Sequence, residues 1–427
     1  MAENTPAALQ NAIIYSVYVR AHTQEGTFLS IIPDLDRIRA LGTDILWFLP
    51  IHPIGVKGKK GSLGCPYANR DYRAVNPAYG TMEDFRTLCG EIRRRGMKVM
   101  IDVVYNHSSP DAVLLDEHPE FYWRDRDGQV GNKIGDWADV IDLDYHQSGL
   151  WDYQIESLRM WAGLVDGFRC DVASFVPLEF WKRARAAVAE VNPDCIWLAE
   201  TVHMSFGNHV RREGFYCARD TELFDAFDLE YQYDIWESFE RFVRGEAPLH
   251  EFCEMLNMQE ALYRWNYNKL RFLENHDQPR IAARVEDEGA RDNYTAMLFF
   301  LKGTTLLYAG QEFSCTHQPS LFEKEVFERT GRDVSDMLSR LARIKHSLLG
   351  EGAFLARADD EKAIAVMERG GKDGRAIGVF SLRGERGAAA VEVPDGEYRE
   401  WIRGGTVLVK NGQVFCTGEP VIFTLPR

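Results

Sequence analysis

The chain has no stretch of 18 uncharged apolar residues, so no membrane-spanning helix is expected. It has no cysteine framework either. Its eight cysteines, at positions 65, 89, 170, 195, 217, 253, 315 and 416, form no C-x-x-C pair and no small-domain spacing. That excludes a disulfide scaffold and leaves free thiols in a reducing cytosol as the expectation. Positive charge is in deficit: 50 Lys+Arg stand against 65 Asp+Glu, a net charge of −15. Nucleic acid and anionic membranes both need a positive field, so neither is expected as a partner. A neutral or cationic ligand fits this balance, and so does plain solubility. The opening MAENTPAALQ has no basic region followed by an apolar run, so no signal peptide and a cytoplasmic location are expected. No internal repeat or low-complexity linker is present, and 45% hydrophobic with 27% charged content excludes disorder, collagen and coiled coil as the main theme.

What is present is rhythm. Strand-length apolar runs start at Ala12, Asp44, Val99, Leu164, Ile196, Phe224, Lys269 and Thr304. Helical segments lie between several of them. Thr81 to Gly96 opens with T-M-E-D, a capping-box pattern, and spaces Phe85, Leu88 and Ile92 along one helix face. Leu178 to Val191 stops at Asn192-Pro193, and Met337, Leu341, Ile344 and Leu348 form another stripe. Alternating strands and helices mean parallel βα units, and eight of them close into a (β/α)8 TIM barrel. An open doubly wound sheet has the same pattern. Two regions break the rhythm. Residues 108–149 form an insertion after strand 3, with two strand-like runs about an Asp-Gly turn. Residues 352–427 carry short strand-like pieces and frequent turns, Asn411-Gly412 the strongest, and are expected to form an antiparallel β-sandwich. The barrel then comprises 1–107 and 150–351.

Barrel enzymes place their chemistry at the C-terminal ends of the strands. Here those ends carry Asp102, Asn106 and His107 in DVVYNH, Arg169 and Asp171 in GFRCD, Glu200 in WLAE, and His276 and Asp277 in ENHD. Crowding carboxylates on one rim is costly unless they are paired or used. Arg169 and Asp171 are two residues apart on a strand and share a face, so the arginine is expected to keep Asp171 ionised. Glu200, near other acids, is expected to have its pKa raised and to serve as a proton donor. One ionised nucleophile and one protonated acid is what retaining glycoside hydrolysis requires. Asp102 reads as structural. Any one acid alone is as well explained as a helix cap or a solvated loop residue.

Together these segments resemble the α-amylase superfamily, glycoside hydrolase family 13. The resemblance rests on DVVYNH from Asp102, GFRCDVAS from Gly167, IWLAET from Ile196 and FLENHD from Phe272, in order. GCPYANRDYRAVNPAYGTMEDF from Gly64, VIDLDY from Val140 and YAGQE from Tyr308 extend it over roughly residues 12–350. The resemblance implies that Asp171 is the nucleophile, Glu200 the general acid/base and Asp277 the third acid that grips sugar hydroxyls. It implies that His107 and His276 bind hydroxyls, that Arg169 orients the nucleophile, and that Tyr67 stacks on the reacting sugar. Arg280, in H-D-Q-P-R, is implied to touch that sugar or the third acid.

The substrate implied is an α-glucan oligosaccharide, with α-1,4 cleavage leading and α-1,6 left open by Val172 after the nucleophile. Water as acceptor makes a hydrolase; a sugar acceptor makes a 4-α-glucanotransferase; a barrel without catalysis would be a scaffold. Many α-amylases carry Lys-His where this chain has Ser174 and Phe175, and intracellular oligosaccharide-processing members are the nearer match. Asn106 matches a family calcium ligand, so calcium stays open, but no required cofactor and no metal site are expected. Asp125 and Asp127 are read as a hairpin turn, with no downstream Glu to complete a calcium loop. Trp123 and Trp137 lie in the insertion, where their rings could stack on sugars or simply pack beneath it. Chain-length preference and oligomeric state are left open.

Overall fold

The computed structural model describes residues 5–135, 137–371 and 374–426. In chain order the first ten strands are β1 (Ile13–Val17), β2 (Ile45–Phe48), β3 (Lys98–Val103), β4 (His107–Ser108), β5 (Ile141–Asp142), β6 (Gly167–Cys170), β7 (Ile196–Ala199), β8 (Leu229–Tyr231), β9 (Lys269–Arg271) and β10 (Thr304–Tyr308). Eight of these close into a parallel barrel in the order β1-β10-β9-β8-β7-β6-β3-β2. Its strands are buried along almost their whole length and start within three residues of the strand-length runs in the sequence, with Asp102, Arg169, Glu230, Lys269 and Arg271 buried among the apolar residues. The run from Phe224 is the exception. Phe224 caps the short helix Asp220–Leu223, and the amides of Asp225, Ala226 and Phe227 still bond back to that helix, so β8 starts only at Leu229.

The helices follow their local chemistry. Met82–Arg94 starts at Thr81, whose Oγ1 accepts from the Asp84 amide (3.1 Å) while the Asp84 carboxylate accepts from the Thr81 amide (2.8 Å). The buried face is Phe85, Leu88, Cys89 and Ile92. Leu178–Ala189 and Ser335–Leu348 fall where the sequence pattern places them. The insertion is tied to the rim by β4 and β5, which pair antiparallel as His107↔Asp142 and Ser108↔Ile141. Its Asp-Gly turn closes a single Arg124↔Val130 bridge, and the Asp125 carboxylate accepts from the Asp127 and Gln129 amides. Asp125 therefore serves a turn.

The C-terminal module holds β11 (Leu349–Asp359), β12 (Ile364–Gly371), β13 (Gly374–Ser381), β14 (Gly387–Ala390), β15 (Gly396–Arg399), β16 (Thr406–Lys410), β17 (Gln413–Cys416) and β18 (Val421–Pro426). They form two antiparallel four-stranded sheets, β11-β12-β13-β18 and β14-β17-β16-β15. Val366, Ile377 and Phe423 of the first sheet share one core with Val407, Val409 and Val414 of the second, as in a sandwich. Asn411 and Gly412 both take positive φ (53° and 67°), the conformation a two-residue hairpin needs. The edge strand β11 is covered by helix Leu249–Leu262, whose Asn257 amide bonds both the N–H and the C=O of Ala356 at 2.8 Å. Among the described residues no helix is long and apolar enough to cross a membrane, and all eight cysteines are free.

Candidate active site

The acids sit where the barrel ladder still holds the backbone. The Asp171 amide donates to Val103 C=O (2.9 Å), and the Glu200 amide donates to Cys170 C=O (3.0 Å). Each residue lies one position past its strand yet keeps a strand hydrogen bond, so its Cα cannot drift. Asp102, on β3, is the register partner of Arg169 on β6. Arg169 is fully buried and collects the carboxylates around it. Its Nη1 donates to Asp102 Oδ1 (2.9 Å) and to Asp171 Oδ1 (2.7 Å), and its Nη2 lies 2.7 Å from Glu200 Oε1. That last contact is an ion pair without hydrogen-bond alignment. The rings of Trp47, Tyr67 and Tyr231 stand 5.4–5.5 Å from the guanidinium carbon and seal it from water.

The remaining predicted residues close the ring. The Tyr67 hydroxyl donates to Asp102 Oδ2 (2.9 Å) and lies 2.6 Å from His276 Nε2, with the two rings stacked at 5.4 Å. His276 Nε2 is 3.0 Å from Asp277 Oδ2. The Asp277 amide is held by the Asn275 side chain in a local turn. His107 Nε2 stands 3.9 Å from Asp171 Oδ2. Glu200 Oε2 accepts from the Val172 amide at 2.7 Å, and Val172 takes a left-handed conformation (φ 35°, ψ 45°) to offer it. Thus Asp171, Glu200, Asp277, Tyr67, His107, Arg169 and His276 converge on one rim.

One cation shared by three buried carboxylates cannot neutralise them all. Burial pushes Glu200 up to about 8, with Arg169 opposing and Asp171 and Asp277 adding to the rise. Burial also raises Asp171 to about 6, against the pull of Arg169, and Asp102 likewise to about 6. The sequence expected Arg169 to dominate at Asp171; burial is the larger influence. The order still holds: near neutral pH Asp171 is mostly ionised and Glu200 mostly protonated. Burial would raise Asp277 too, but His276 holds it below the usual carboxylate range. Asp277 in turn raises His276 despite its burial, whereas burial lowers His107.

Arg280 is placed elsewhere. Its Nη1 donates to Glu274 Oε1 (2.6 Å), its Nη2 to Ala309 C=O (2.8 Å), and its guanidinium stacks on Tyr308 at 4.1 Å. It is 1% exposed and braces the strand end that carries His276 and Asp277. Glu274, Trp47 and Tyr231 were not singled out in the sequence: Trp47 and Tyr231 lie inside strand-length runs, and Glu274 was passed over although it sits within FLENHD. Calcium does not fit the surroundings of Asn106. The Asn106 amide turns to Asp142 Oδ1 (3.4 Å), and the chain's own Lys133 ammonium donates to Leu143 C=O (2.6 Å) and feels the charges of Asp142 and Asp144. Among the described residues no three His, Cys, Asp or Glu side chains are grouped to hold a metal.

The α-amylase catalytic-domain family model matches residues 11–127 and 134–347. The chain belongs to the α-amylase family. A second model, the bacterial α-amylase C-terminal domain, matches residues 356–423 of this family member. Among solved structures, an α-amylase from Lactobacillus plantarum is 40% identical, covers 98% of this chain and 100% of its own, and superposes with a TM-score of 0.94. A noncanonic maltogenic α-amylase, AmyB, from Thermotoga neapolitana is 31% identical over 98% of this chain and 100% of its own, with a TM-score of 0.87. Among curated relatives, the α-amylase MalA of Haloarcula japonica is 24% identical over 97% of this chain. The chain spans 63% of MalA's length.

Proposed function

We propose that the chain is a retaining glycoside hydrolase that cleaves α-glucosidic bonds, mainly α-1,4, in maltodextrins and related α-glucans. One observation carries this reading: Asp171 and Glu200 flank one guanidinium, and burial keeps the acid protonated to higher pH than the nucleophile. Asp171 Oδ attacks the anomeric carbon, and the glycosidic C–O bond breaks with its electron pair moving to the leaving oxygen. That oxygen takes the Glu200 proton. Glu200, now a carboxylate, takes a proton from water as the water oxygen attacks the anomeric carbon and Asp171 leaves. Asp277, His276 and His107 grip hydroxyls of the reacting ring, and Tyr67 stacks beneath it. Arg169 holds both carboxyls in place and stays protonated throughout.

A sugar hydroxyl in place of water makes the same intermediate a transferase step. The half-buried Val202 and Phe206, clustered with Phe175, give this second reading a footing, because an apolar wall favours a sugar face over bulk water. The scaffold reading has no support from a site with all three acids in place. The reaction as written routes no step through a bound cation or cofactor. The free thiols suit a reducing compartment, the cytoplasm.

The test is Asp171→Asn. It should lower kcat by about 10³ or more, as a lost nucleophile does. A sugar–protein adduct on Asp171 should be trapped with a slow-turnover fluoroglucoside. Near-normal activity in the variant removes the mechanism. Product analysis of the wild type on maltotriose separates the two readings: products longer than the substrate favour transfer.

A further inference from the structure

The insertion holds two tryptophans that the catalytic constellation does not use, and the structure gives them a cavity. Between the insertion, the turn after β6 and the loop after helix Met204–Arg212 lies a space of about 470 Å³. Its walls include Trp123, Trp137, Phe175, Phe215 and Tyr216. We infer that this seam is a second α-glucan pocket, a non-catalytic subsite for a short segment of neutral oligosaccharide.

The size suits the ligand class: small-molecule sites run from about 300 to 1,000 Å³, so this one holds more than a single hexose. The rings suit it as well. Trp123 and Phe215 meet edge to face, at 6.1 Å and 81°, and both line the cavity. Flat apolar faces match the C–H faces of a pyranose. The rim is polar. Asp144 and His146 pair at 2.7 Å with the imidazole side chain 96% exposed, and Asp142 and Asn106 sit on the floor. Two carboxylates argue against an anionic ligand, and the one nearby ammonium, Lys133, already donates to Leu143 C=O. A purely apolar ligand would strip water from the Asp144–His146 pair at the rim and offer it nothing in return. A polyol with apolar faces satisfies both halves.

Simple packing beneath the insertion would fill this space and bury the rings. Instead Tyr216 is 47% exposed, and its hydroxyl accepts from the Leu178 amide at 3.1 Å, which fixes the ring at the mouth. The pocket also adjoins the catalytic rim. Trp137 contacts His107 at 5.8 Å on one side and Phe175 at 6.3 Å on the other, so a single indole forms the partition between the two sites.

This inference rests on the α-glucan reading above, and the experiment keeps the two apart. The full-length Glu200→Gln chain, which binds without cleaving, is titrated with maltotriose by calorimetry and tryptophan fluorescence. Two molecules per chain are expected. Adding Trp123→Ala, or separately Tyr216→Ala at the exposed mouth, should remove one of them. It should leave the remaining affinity within about two-fold. Circular dichroism and Tm confirm that each chain is folded, and Tyr216→Ala serves if Trp123→Ala is not. One molecule per chain in the parent overturns the second pocket and leaves the catalytic reading standing. So do two that survive both substitutions. No binding in the parent overturns both.

Discussion

Replacing Glu200 by Gln tests the proton ledger of the site directly. In the wild type the nucleophile must be ionised and the acid protonated. With Asp171 near 6 and Glu200 near 8, kcat/KM on maltotetraose should be bell-shaped, falling below about pH 6 and above about pH 8. Gln keeps the shape of Glu and can still accept from the Val172 amide through its carbonyl oxygen. It has no proton to give. A sugar leaving group then departs as an unprotonated alkoxide, and general-acid assistance is worth about 10²–10⁴. A loss near 10³ corresponds to about 4 kcal/mol of barrier. An activated aryl α-glucoside leaves as a stable phenoxide and should lose far less in the bond-breaking step. Its alkaline limb near pH 8 should disappear as well. Stability supplies an independent readout. The folded-state pKa of Glu200 lies above its unfolded value, so its contribution is fully present below the unfolded pKa and is lost as pH rises through about 8. The variant should therefore gain on the wild type in Tm at pH 8 and not at pH 4. Equal loss on both substrate types, or an alkaline limb retained by the variant, refutes the assignment of the acid.

Two further outcomes are expected. EDTA at millimolar concentration should leave maltotetraose cleavage and Tm unchanged, because the Lys133 ammonium already lies within the field of Asp142 and Asp144; loss of activity restored by calcium overturns this. Arg280→Met should destabilise the chain by about 3–5 kcal/mol in urea unfolding, because it strands the buried Glu274 carboxylate, and adding Glu274→Gln should recover much of that loss. No change in Arg280→Met would mean that the pair does not brace the rim.

The barrel was legible because parallel strands covered on both faces are largely apolar, and eight such runs separated by helix-length stretches leave few closures. The run at Phe224 was misread in extent because a strand and the tail of a short helix share the same aromatic, apolar texture. The acids were legible because strand ends are where a barrel exposes side chains. The protonation order was legible from crowding, but its main cause was not: how far burial outweighs Arg169 at Asp171 depends on Trp47, Tyr67 and Tyr231 closing over the guanidinium. Arg280 shows the limit of motif spacing. Only two residues separate it from Asp277 in sequence, yet a buried carboxylate upstream, Glu274, claims it first. Lys133 was equally silent, since a lysine in an insertion carries no signal until Asp142 and Leu143 are folded against it.

The twist at Val172 sets the terms on which this molecule can be made hardier. A β-branched side chain at positive φ stores on the order of 1–3 kcal/mol, and glycine there would release much of it. Glycine carries the same backbone N–H and adopts this twist without strain, so the amide that clamps the proton donor would stay in place. Longevity and turnover are therefore compatible at this peptide unit, and a library selected only for heat resistance is expected to admit glycine here with its speed intact.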